Sequence, residues 1–260
     1  MTFPQGTRAT AGNTGIRGGT RGGKVRDVTV TRTVAVVLGG GVGTRFGAGM
    51  PKQLLKLAGR TLVEHCVNAF ESAPGVDEIL LVMPPAYHTE AKKLVGEQVS
   101  AIIEGGVTRS DSVRNALAHI SARYPAENTG VLIHDAARPL VTQQIIGDCV
   151  AALAHHDAIG TAVPTSDTIL VVGNGVIAHV PPRETLYRAQ TPQCFRLEVI
   201  VRAHQRAAAD PDFTPTDDCS VVLRYLPDIP VHVVEGSERN LKVTYPGDLF
   251  VAEALLRAAD

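Results

Sequence analysis

The chain has 260 residues, a formal net charge of −1 and 44% hydrophobic residues, which is enough for one sizeable α/β domain. This charge balance creates no general basic field, so we do not expect nucleic acid as a partner. No run approaches the ~18 consecutive apolar residues of a membrane-spanning helix, so we do not expect a membrane partner. The four cysteines are far apart and lack C-x-x-C spacing, which argues against zinc or disulfides and indicates a reducing cytoplasm.

Residues 1–31 differ in composition from the rest of the chain. They are rich in Gly, Thr and Arg and contain few apolar residues. A segment of this composition cannot bury enough apolar surface to offset the conformational entropy of the chain. We therefore expect a disordered tail over 1–31, followed by one folded domain over 32–260.

The strongest chemical signal lies in residues 34–53, VAVVLGGGVGTRFGAGMPKQ. Its apolar start predicts a strand that is buried on both faces. Glycines then let the backbone approach a ligand closely, and their successive N–H groups can form an anion-binding concavity. Arg45 and Lys52 supply two cations. Together these features indicate a site for a nucleoside triphosphate. The three glycines that follow the strand are Gly39, Gly40 and Gly41.

Two other glycine-rich motifs do not match these letters. A P-loop requires a lysine directly after its last glycine, and the stretch has none. The dinucleotide fingerprint fits Gly41 and Gly43, but Phe46 occupies the place of its third glycine. The fingerprint also requires an acidic residue about 20 positions further on, at the end of a second strand. Glu64 is near that distance but falls in a predicted helix. The remaining alternative is a tight strand–helix turn without a ligand.

Short apolar strands alternate with helices along the rest of the chain. We predict strands at 78–83, 100–103, 130–134, 158–163 and 231–235, and helices at 61–71, 86–96, 108–123, 142–155, 197–209, 218–225 and from 246. This alternation predicts an α/β fold, a Rossmann-like, mostly parallel sheet with helices on both faces. Ligands bind outside the carboxyl ends of such strands. The segments 39–52, 105–112 and 135–138 all follow strand ends and should converge there.

The alternation breaks between about residues 165 and 190. Two β-rich runs, 168–172 and 176–180, flank Gly173-Asn174-Gly175, which is a strong hairpin signal. An isolated two-stranded hairpin is marginally stable in water. We therefore expect a projecting arm that packs against a second copy of the chain and forms a homodimer. The alternative is an edge hairpin on the same sheet.

Six segments carry a family resemblance: GGGVGTRFGAGMPKQ (39–53), GGVTRSDSV (105–113), HDAARP (134–139), TPQCF (191–195), TDDCS (216–220) and NLKVT (240–244). In order and spacing they resemble the cytidylyltransferases that join CTP to a polyol phosphate. The best-known members act on 2-C-methyl-D-erythritol 4-phosphate in isoprenoid synthesis, and close relatives act on ribitol 5-phosphate. HDAARP, TPQ and PKQ are highly specific in combination.

The resemblance implies a set of site residues. The catalytic residues would be Arg45, Lys52, Asp135 and Lys242. The nucleotide would be bound by Gly39, Gly40, Gly41, Gly106, Ser112 and Ala136. The polyol phosphate would be bound by Arg138, Thr168, Arg183, Thr191 and Thr216. Thr168 and Arg183 would reach the partner's active site from the arm.

The implied roles suit the chemistry of these residue types. Arg45 and Lys52 would neutralise the triphosphate during attack, because such transfers depend on positioning and charge stabilisation. Gly106 would read the cytosine through its backbone and Ser112 through its hydroxyl. Asp135 would bind substrate hydroxyls and help to organise Mg2+, which prefers few carboxylates together with phosphate oxygens.

The letters leave the alcohol open. The segment 38–41 reads LGGG where methylerythritol enzymes usually carry PAAG, and Leu170 replaces a lysine that is common in that branch. The segment 186–193, LYRAQTPQ, is closer to the ribitol-phosphate branch. We expect transfer to methylerythritol phosphate on family prevalence, with ribitol 5-phosphate as the alternative. Further alternatives are a non-catalytic nucleotide-binding paralogue and a transferase for a sugar 1-phosphate.

Overall fold

The computed structural model describes residues 29–40 and 51–258. The predicted tail lies outside these ranges up to residue 28, and so do Gly41 and Arg45. The strands are β1 (Arg32–Leu38), β2 (Lys56–Leu57), β3 (Arg60–Thr61), β4 (Glu78–Met83), β5 (Ala101–Glu104), β6 (Thr129–Asp135), β7 (Ala158–Pro164), β8 (Val171–Gly173), β9 (Val176–His179), β10 (Tyr187–Arg196) and β11 (His232–Glu235). The helices are α1 (Leu62–Glu71), α2 (His88–Val95), α3 (Arg109–Ser121), α4 (Gln143–Leu153), α5 (Leu197–Ala208), α6 (Asp218–Tyr225) and α7 (Pro246–Arg257).

Within the described ranges, seven strands form the main sheet in the order β11-β7-β10-β6-β1-β4-β5. The neighbouring strands are parallel, except that β10 runs antiparallel to both β6 and β7. Strand β1 lies near the centre, where Val36 pairs with Leu80 on one side and with Ile133 on the other. The mostly parallel α/β sheet expected from the sequence is therefore confirmed.

Two apolar cores cover the faces of the sheet. Successive side chains of a strand point to opposite faces, so Val37 packs toward α1, α2 and α4 while Val36 packs toward α3, α5 and α6. A third, smaller cluster joins Ala252 of α7 to Leu57 and Val243. The helices begin close to where the sequence places them; for example, Thr61 and Glu64 form a capping box at the start of α1.

Strand β10 was not predicted from the sequence, and neither were the two-residue strands β2 and β3. It contains Pro192, which cannot donate a hydrogen bond to a sheet, and its buried residues include the polar Gln190 and Gln193. Hydrogen bonds to distant parts of the chain satisfy these amides, so an apolar strand pattern was not needed. The insertion of β10 also makes the sheet mixed rather than wholly parallel.

The predicted hairpin is present but shorter than expected. Strands β8 and β9 pair with each other in a separate two-stranded sheet, and in the described part of the chain they do not join the main sheet. The edge-hairpin alternative is therefore wrong. Asn174 and Gly175 have φ values of 53° and 78°, the left-handed conformation that a tight hairpin turn requires. Its strand residues are exposed on both faces.

Candidate active site

The predicted ligand edge of the sheet is built from loops that approach each other closely. A Cβ on Gly39 would lie 2.2 Å from Met83 Sδ, and a Cβ on Gly106 would lie 2.0 Å from the Cβ of Asp111. These distances exclude any side chain at the two positions without movement of the neighbours. The glycines therefore let the loops after β1 and β5 pack against β4 and the start of α3.

A cavity of about 210 Å³ lies at this edge, between the β1 loop and the start of α3. Thr108 caps α3, and the exposed backbone N–H groups of a helix start favour anions. Ser112 Oγ accepts the N–H of Gly106 at 2.9 Å and donates to Thr108 O at 3.1 Å. The hydroxyl thus supports the loop, and its contact with a base stays a prediction. The predicted site residues in the lining are Gly40, Lys52, Gly106, Ser112, Asp135 and Lys242.

A second cavity of about 200 Å³ adjoins the first. Three of the residues predicted for the polyol phosphate line it: Arg138, Thr191 and Thr216. Its wall comes from the start of β10, the start of α6 and the loop before α7. The two cavities share three charged residues, namely Arg109, Asp135 and Lys242. A group bound in one cavity therefore meets a group bound in the other at these side chains.

Asp135 is the centre of this junction. Its Oδ1 accepts a hydrogen bond from Arg109 Nε at 3.0 Å, and its Oδ2 accepts one from Lys242 Nζ at 2.6 Å. Burial alone would raise the pKa of Asp135, but the charges of Arg109 and Lys242 outweigh it and hold that pKa well below its usual range. The carboxylate is therefore ionised at neutral pH and orients both cations.

The sequence analysis did not single out Arg109. Its Nη1 also donates to Asp218 Oδ2 at 2.7 Å, so the guanidinium bridges two carboxylates. Burial disfavours its charge, yet Asp218 and Asp135 raise the pKa of Arg109 overall. Asp218 in turn accepts from His204 Nε2 at 2.9 Å. Arg109 and Asp218 lie inside the quoted GGVTRSDSV and TDDCS segments, which was the available signal.

His134, which directly precedes Asp135, is fully buried. Burial lowers the pKa of His134 to about 4, so the ring is neutral at pH 7. Its Nε2 lies 3.1 Å from the carbonyl of Arg138, which only accepts, so Nε2 carries the hydrogen. Nδ1 then accepts from the Thr191 hydroxyl at 3.0 Å, and that oxygen accepts the N–H of Asp135 at 3.1 Å. This chain fixes Asp135 against β10.

The loop before α7 brings Lys242 to the junction. Asn240 is fully buried, and its Nδ2 donates to Thr191 O at 2.9 Å. The Asn240 carbonyl accepts from Arg138 Nη1 at 2.8 Å. The Val243 carbonyl accepts from Lys52 Nζ at 3.0 Å. The loop is therefore tied to β10, to the turn after β6 and to the cation of the first cavity.

Some predicted site residues lie away from the two cavities. Thr168 and Arg183 belong to the arm and line neither cavity of their own chain; Arg183 Nη1 donates to Ser166 O at 3.2 Å. Ala136 is buried, and it is the next residue, Ala137, that lines the first cavity. Gly39 is buried directly after the end of β1. Gly41 and Arg45 lie outside the described residues, so their roles stay predictions.

The residues present fit a metal ion that is held mainly by a substrate. Over residues 29–40 and 51–258, no three His, Cys, Asp or Glu side chains group as a metal cage. Mg2+ needs no such cage, because it commonly takes one or two carboxylates together with substrate phosphates. Asp135, at the junction of the cavities, is the carboxylate placed for that contact. The cysteines in these ranges are free and buried, and no helix there is long and apolar enough to cross a membrane.

A Rossmann-like sheet with a glycine-rich loop and a charged junction between two cavities defines a nucleotidyltransferase. The family model for 2-C-methyl-D-erythritol 4-phosphate cytidylyltransferase (IspD) matches residues 33–258. The chain therefore belongs to this family, as the sequence motifs predicted.

Three relatives illustrate the similarity. The 2-C-methyl-D-erythritol 4-phosphate cytidylyltransferase of Thermobifida fusca is 53% identical over 235 residues, which cover 87% of this chain and 94% of the relative. A bifunctional ribulose 5-phosphate reductase/CDP-ribitol pyrophosphorylase of Haemophilus influenzae is 38% identical, over 87% of this chain and 48% of its own length. The crystal structure of the Thermus thermophilus cytidylyltransferase is 30% identical, with a TM-score of 0.69, and the match covers 85% of this chain and 98% of that one.

Proposed function

We propose that the protein transfers CMP from CTP to 2-C-methyl-D-erythritol 4-phosphate and releases pyrophosphate, a step in isoprenoid precursor synthesis. The observation that carries this proposal is the pair of adjoining cavities that share Arg109, Asp135 and Lys242. One cavity accepts the nucleotide and the other accepts the alcohol phosphate, so their phosphates meet between two cations. Family membership supplies the identities of the two substrates.

In the proposed reaction, an oxygen of the alcohol phosphate attacks the α-phosphorus of CTP. A new phosphorus–oxygen bond forms, and the bond from the α-phosphorus to the bridging oxygen breaks, so its electron pair leaves with pyrophosphate. Lys52 and Arg45 balance the triphosphate charge, while Lys242 and Arg109 do so at the junction. Asp135 keeps these two junction cations oriented. Asp135 and the substrate phosphates would hold Mg2+, which would supply further neutralisation of phosphate charge.

The test is pyrophosphate release by purified protein with CTP and Mg2+, comparing 2-C-methyl-D-erythritol 4-phosphate with D-ribitol 5-phosphate. We expect turnover with the first alcohol, and loss of turnover when a chelator removes Mg2+. ATP and GTP should be poor substitutes, because backbone groups such as those of Gly106 would hold a small pyrimidine. Pyrophosphate release with neither alcohol would refute the proposal and favour a non-catalytic nucleotide-binding paralogue.

A second alcohol has a specific observation in its favour. The chain is 38% identical to the Haemophilus protein whose name includes CDP-ribitol pyrophosphorylase, and the match spans about half of that bifunctional protein. The letters LYRAQTPQ of residues 186–193 are closer to that branch. D-ribitol 5-phosphate is therefore the alternative substrate, and CDP-ribitol would serve cell-surface polymers. Turnover with ribitol 5-phosphate alone would replace the first assignment.

We further propose that two copies pair through the arm, so that Thr168 and Arg183 complete the partner's second cavity. The support is the apolar surface of the arm: the cross-strand neighbours Val172 and Ile177 are 58% and 56% exposed. Such a hairpin is marginally stable alone, so a covering surface would stabilise it.

The buried free cysteines agree with a protein that acts in the cytoplasm, where thiols stay reduced.

A mixing experiment tests this pairing. Arg183→Ala and Lys242→Ala should each be inactive as pure dimers. When they are mixed and allowed to exchange, half of the dimers contain one intact site, which gives about a quarter of wild-type activity. A V172S/I177S variant should elute as a monomer. No recovery on mixing, although exchange is demonstrated, would show that the arm serves the cavity of its own chain.

A further inference from the structure

The ionic contacts of the active site continue behind the two cavities. Arg109 reaches away from Asp135 to Asp218, and His204 holds the second oxygen of Asp218. Asp218 is 1% exposed and His204 is 2% exposed, and neither residue lines either cavity. The side chains of the pair therefore reach the two cavities through the guanidinium of Arg109.

A buried carboxylate is costly unless its partners compensate. Burial alone would raise the pKa of Asp218, but Arg109 and the hydrogen bond from His204 lower it overall. The backbone N–H of Asp218, at the start of α6, donates to Gln193 Oε1 at 2.9 Å. An acid at a helix start is favourable by itself, yet it needs neither burial nor a histidine. Buried ion pairs are weak contributors to stability compared with apolar packing, which points to another use.

We propose that Asp218 and His204 form a positioning pair that fixes the guanidinium of Arg109 at the junction of the two substrates. Arg109 is held at Nε by Asp135 and at Nη1 by Asp218, so its plane has one orientation. His204 fixes the Asp218 carboxylate in the same way. The inference rests on the proposed cytidylyl transfer, in which Arg109 meets the reacting phosphates.

The hydrogen bonding of His204 suits this role. Its Nε2 donates to Asp218, whereas Nδ1 is buried and has no hydrogen-bond partner in the described part of the chain. The contact with Asp218 is thus the polar contact that orients the ring. His204 lies on α5 and Asp218 on α6, two helices that pack against each other. A loss of the His204 donor would release the far end of the Arg109 bridge.

The test compares two substitutions of His204 with a matched core substitution. His204→Leu removes the donor at similar volume, whereas His204→Gln keeps an N–H donor. We expect His204→Leu to lower kcat about tenfold with KM for CTP within about twofold, because misplacement affects the transition state most. His204→Gln should recover most of the loss. Ile200→Ala, a fully buried change on the same helix, should lower Tm but leave kcat within about twofold.

A double-mutant cycle separates positioning from packing. Arg109→Lys keeps a charge but loses the planar fork that holds Asp135 at Nε and Asp218 at Nη1, so His204→Leu should have little further effect on kcat in that background. Additive losses would overturn the proposal, as would equal losses from His204→Leu and Ile200→Ala, or no recovery with Gln. If His204→Leu does not fold, His204→Met, which also lacks an N–H donor, takes its place in the cycle, and additivity has the same meaning.

One measurement does not depend on turnover. The Nε–H resonance of Arg109 reports the guanidinium environment by NMR in the substrate-free protein. We expect His204→Leu to shift it and Ile200→Ala to leave it in place; no shift with His204→Leu would overturn the positioning role. If His204→Leu shifts this resonance as expected but the wild-type protein turns over neither alcohol, the proposed transfer is refuted and the positioning pair is retained.

Discussion

The two adjoining cavities are built in different ways. The first is lined mainly by short continuous segments that directly follow β1, β5 and β6. These segments can pack closely against their neighbours because of glycines such as Gly39 and Gly106. The second is lined by β10, the start of α6 and the loop before α7, which are distant in sequence and joined by side-chain hydrogen bonds. The backbone shapes one cavity, and buried polar side chains shape the other. The nucleotide side should therefore tolerate less change than the alcohol side.

The largest effect should come from Asp135, which belongs to both cavities. Asp135→Asn leaves Arg109 and Lys242 without their shared charge, so we expect kcat/KM to fall about 10³-fold for both substrates. Steady-state pyrophosphate release measures this loss. Asp157→Asn is the matched control, because Asp157 pairs with Arg196 outside both cavities. A fall in kcat/KM for one substrate alone would contradict the interpretation that both cavities depend on Asp135.

Lys52 should affect the first cavity alone. Lys52→Ala removes a cation from its lining, so we expect kcat/KM for CTP to fall about 10²-fold. KM for the alcohol phosphate should stay within about threefold, because Lys52 does not line the second cavity. The control is Lys56→Ala on the exposed edge of β2. Full turnover by Lys52→Ala would contradict its role at the triphosphate.

Protonation of His134, whose ring supports the wall of the second cavity, should lower the free energy of unfolding. Burial lowers the pKa of its ring from 6.5 to about 4, so the unfolded chain binds more protons between these values. The contribution of His134 to the free energy of unfolding is therefore complete above about pH 6.5. It is lost as pH falls toward 4, by roughly 3 kcal/mol in total. Denaturant unfolding at several pH values measures it.

A His134→Gln variant is the control for this pH dependence. It cannot take up a proton, so its free energy of unfolding should depend less on pH between 6.5 and 4 than that of the wild type. Its stability at pH 8 should be lower, since the hydrogen bonds to Thr191 and Arg138 are altered. Identical slopes for the two proteins would show that His134 is not the titrating group.

The smallest effect should come from Thr216, at the rim of the second cavity. Thr216→Val removes one hydroxyl, so we expect KM for the alcohol phosphate to rise about fivefold. KM for CTP should not change. Thr214→Val is a suitable control, because Thr214 is also exposed and does not line the cavity. An equal rise in KM for CTP would mean that the two cavities are not separable.

The two cavities also differ in how far the sequence predicts them. The apolar run before Gly39 and the capping residues Thr61 and Thr108 carry local signals, so β1, α1 and α3 were predictable from neighbouring letters. The first cavity follows from such elements. The sequence therefore indicates a phosphate site there without help from relatives.

The second cavity depends on contacts between distant residues. Arg109 and Asp218 are 109 positions apart, and no local pattern pairs them. Strand β10 was missed because Gln190 and Gln193 are buried through bonds to Ser237 and Asp217, so polar letters occupy core positions. Arg138 and Thr191 were expected at this site only through the family resemblance.

Because β10 runs antiparallel to its neighbours, the segments before and after Tyr187 should differ in how well they tolerate inserted residues. Its first residue, Tyr187, pairs with Pro164 at the root of the arm, and six positions later Gln193 pairs with Ile133 beside the cavity. Residues added within the hairpin would be absorbed before Tyr187. One residue added after it would exchange the two faces of the strand and move Thr191 away from Asp135. Related chains should therefore vary in arm length while keeping the spacing from Tyr187 to Gln193.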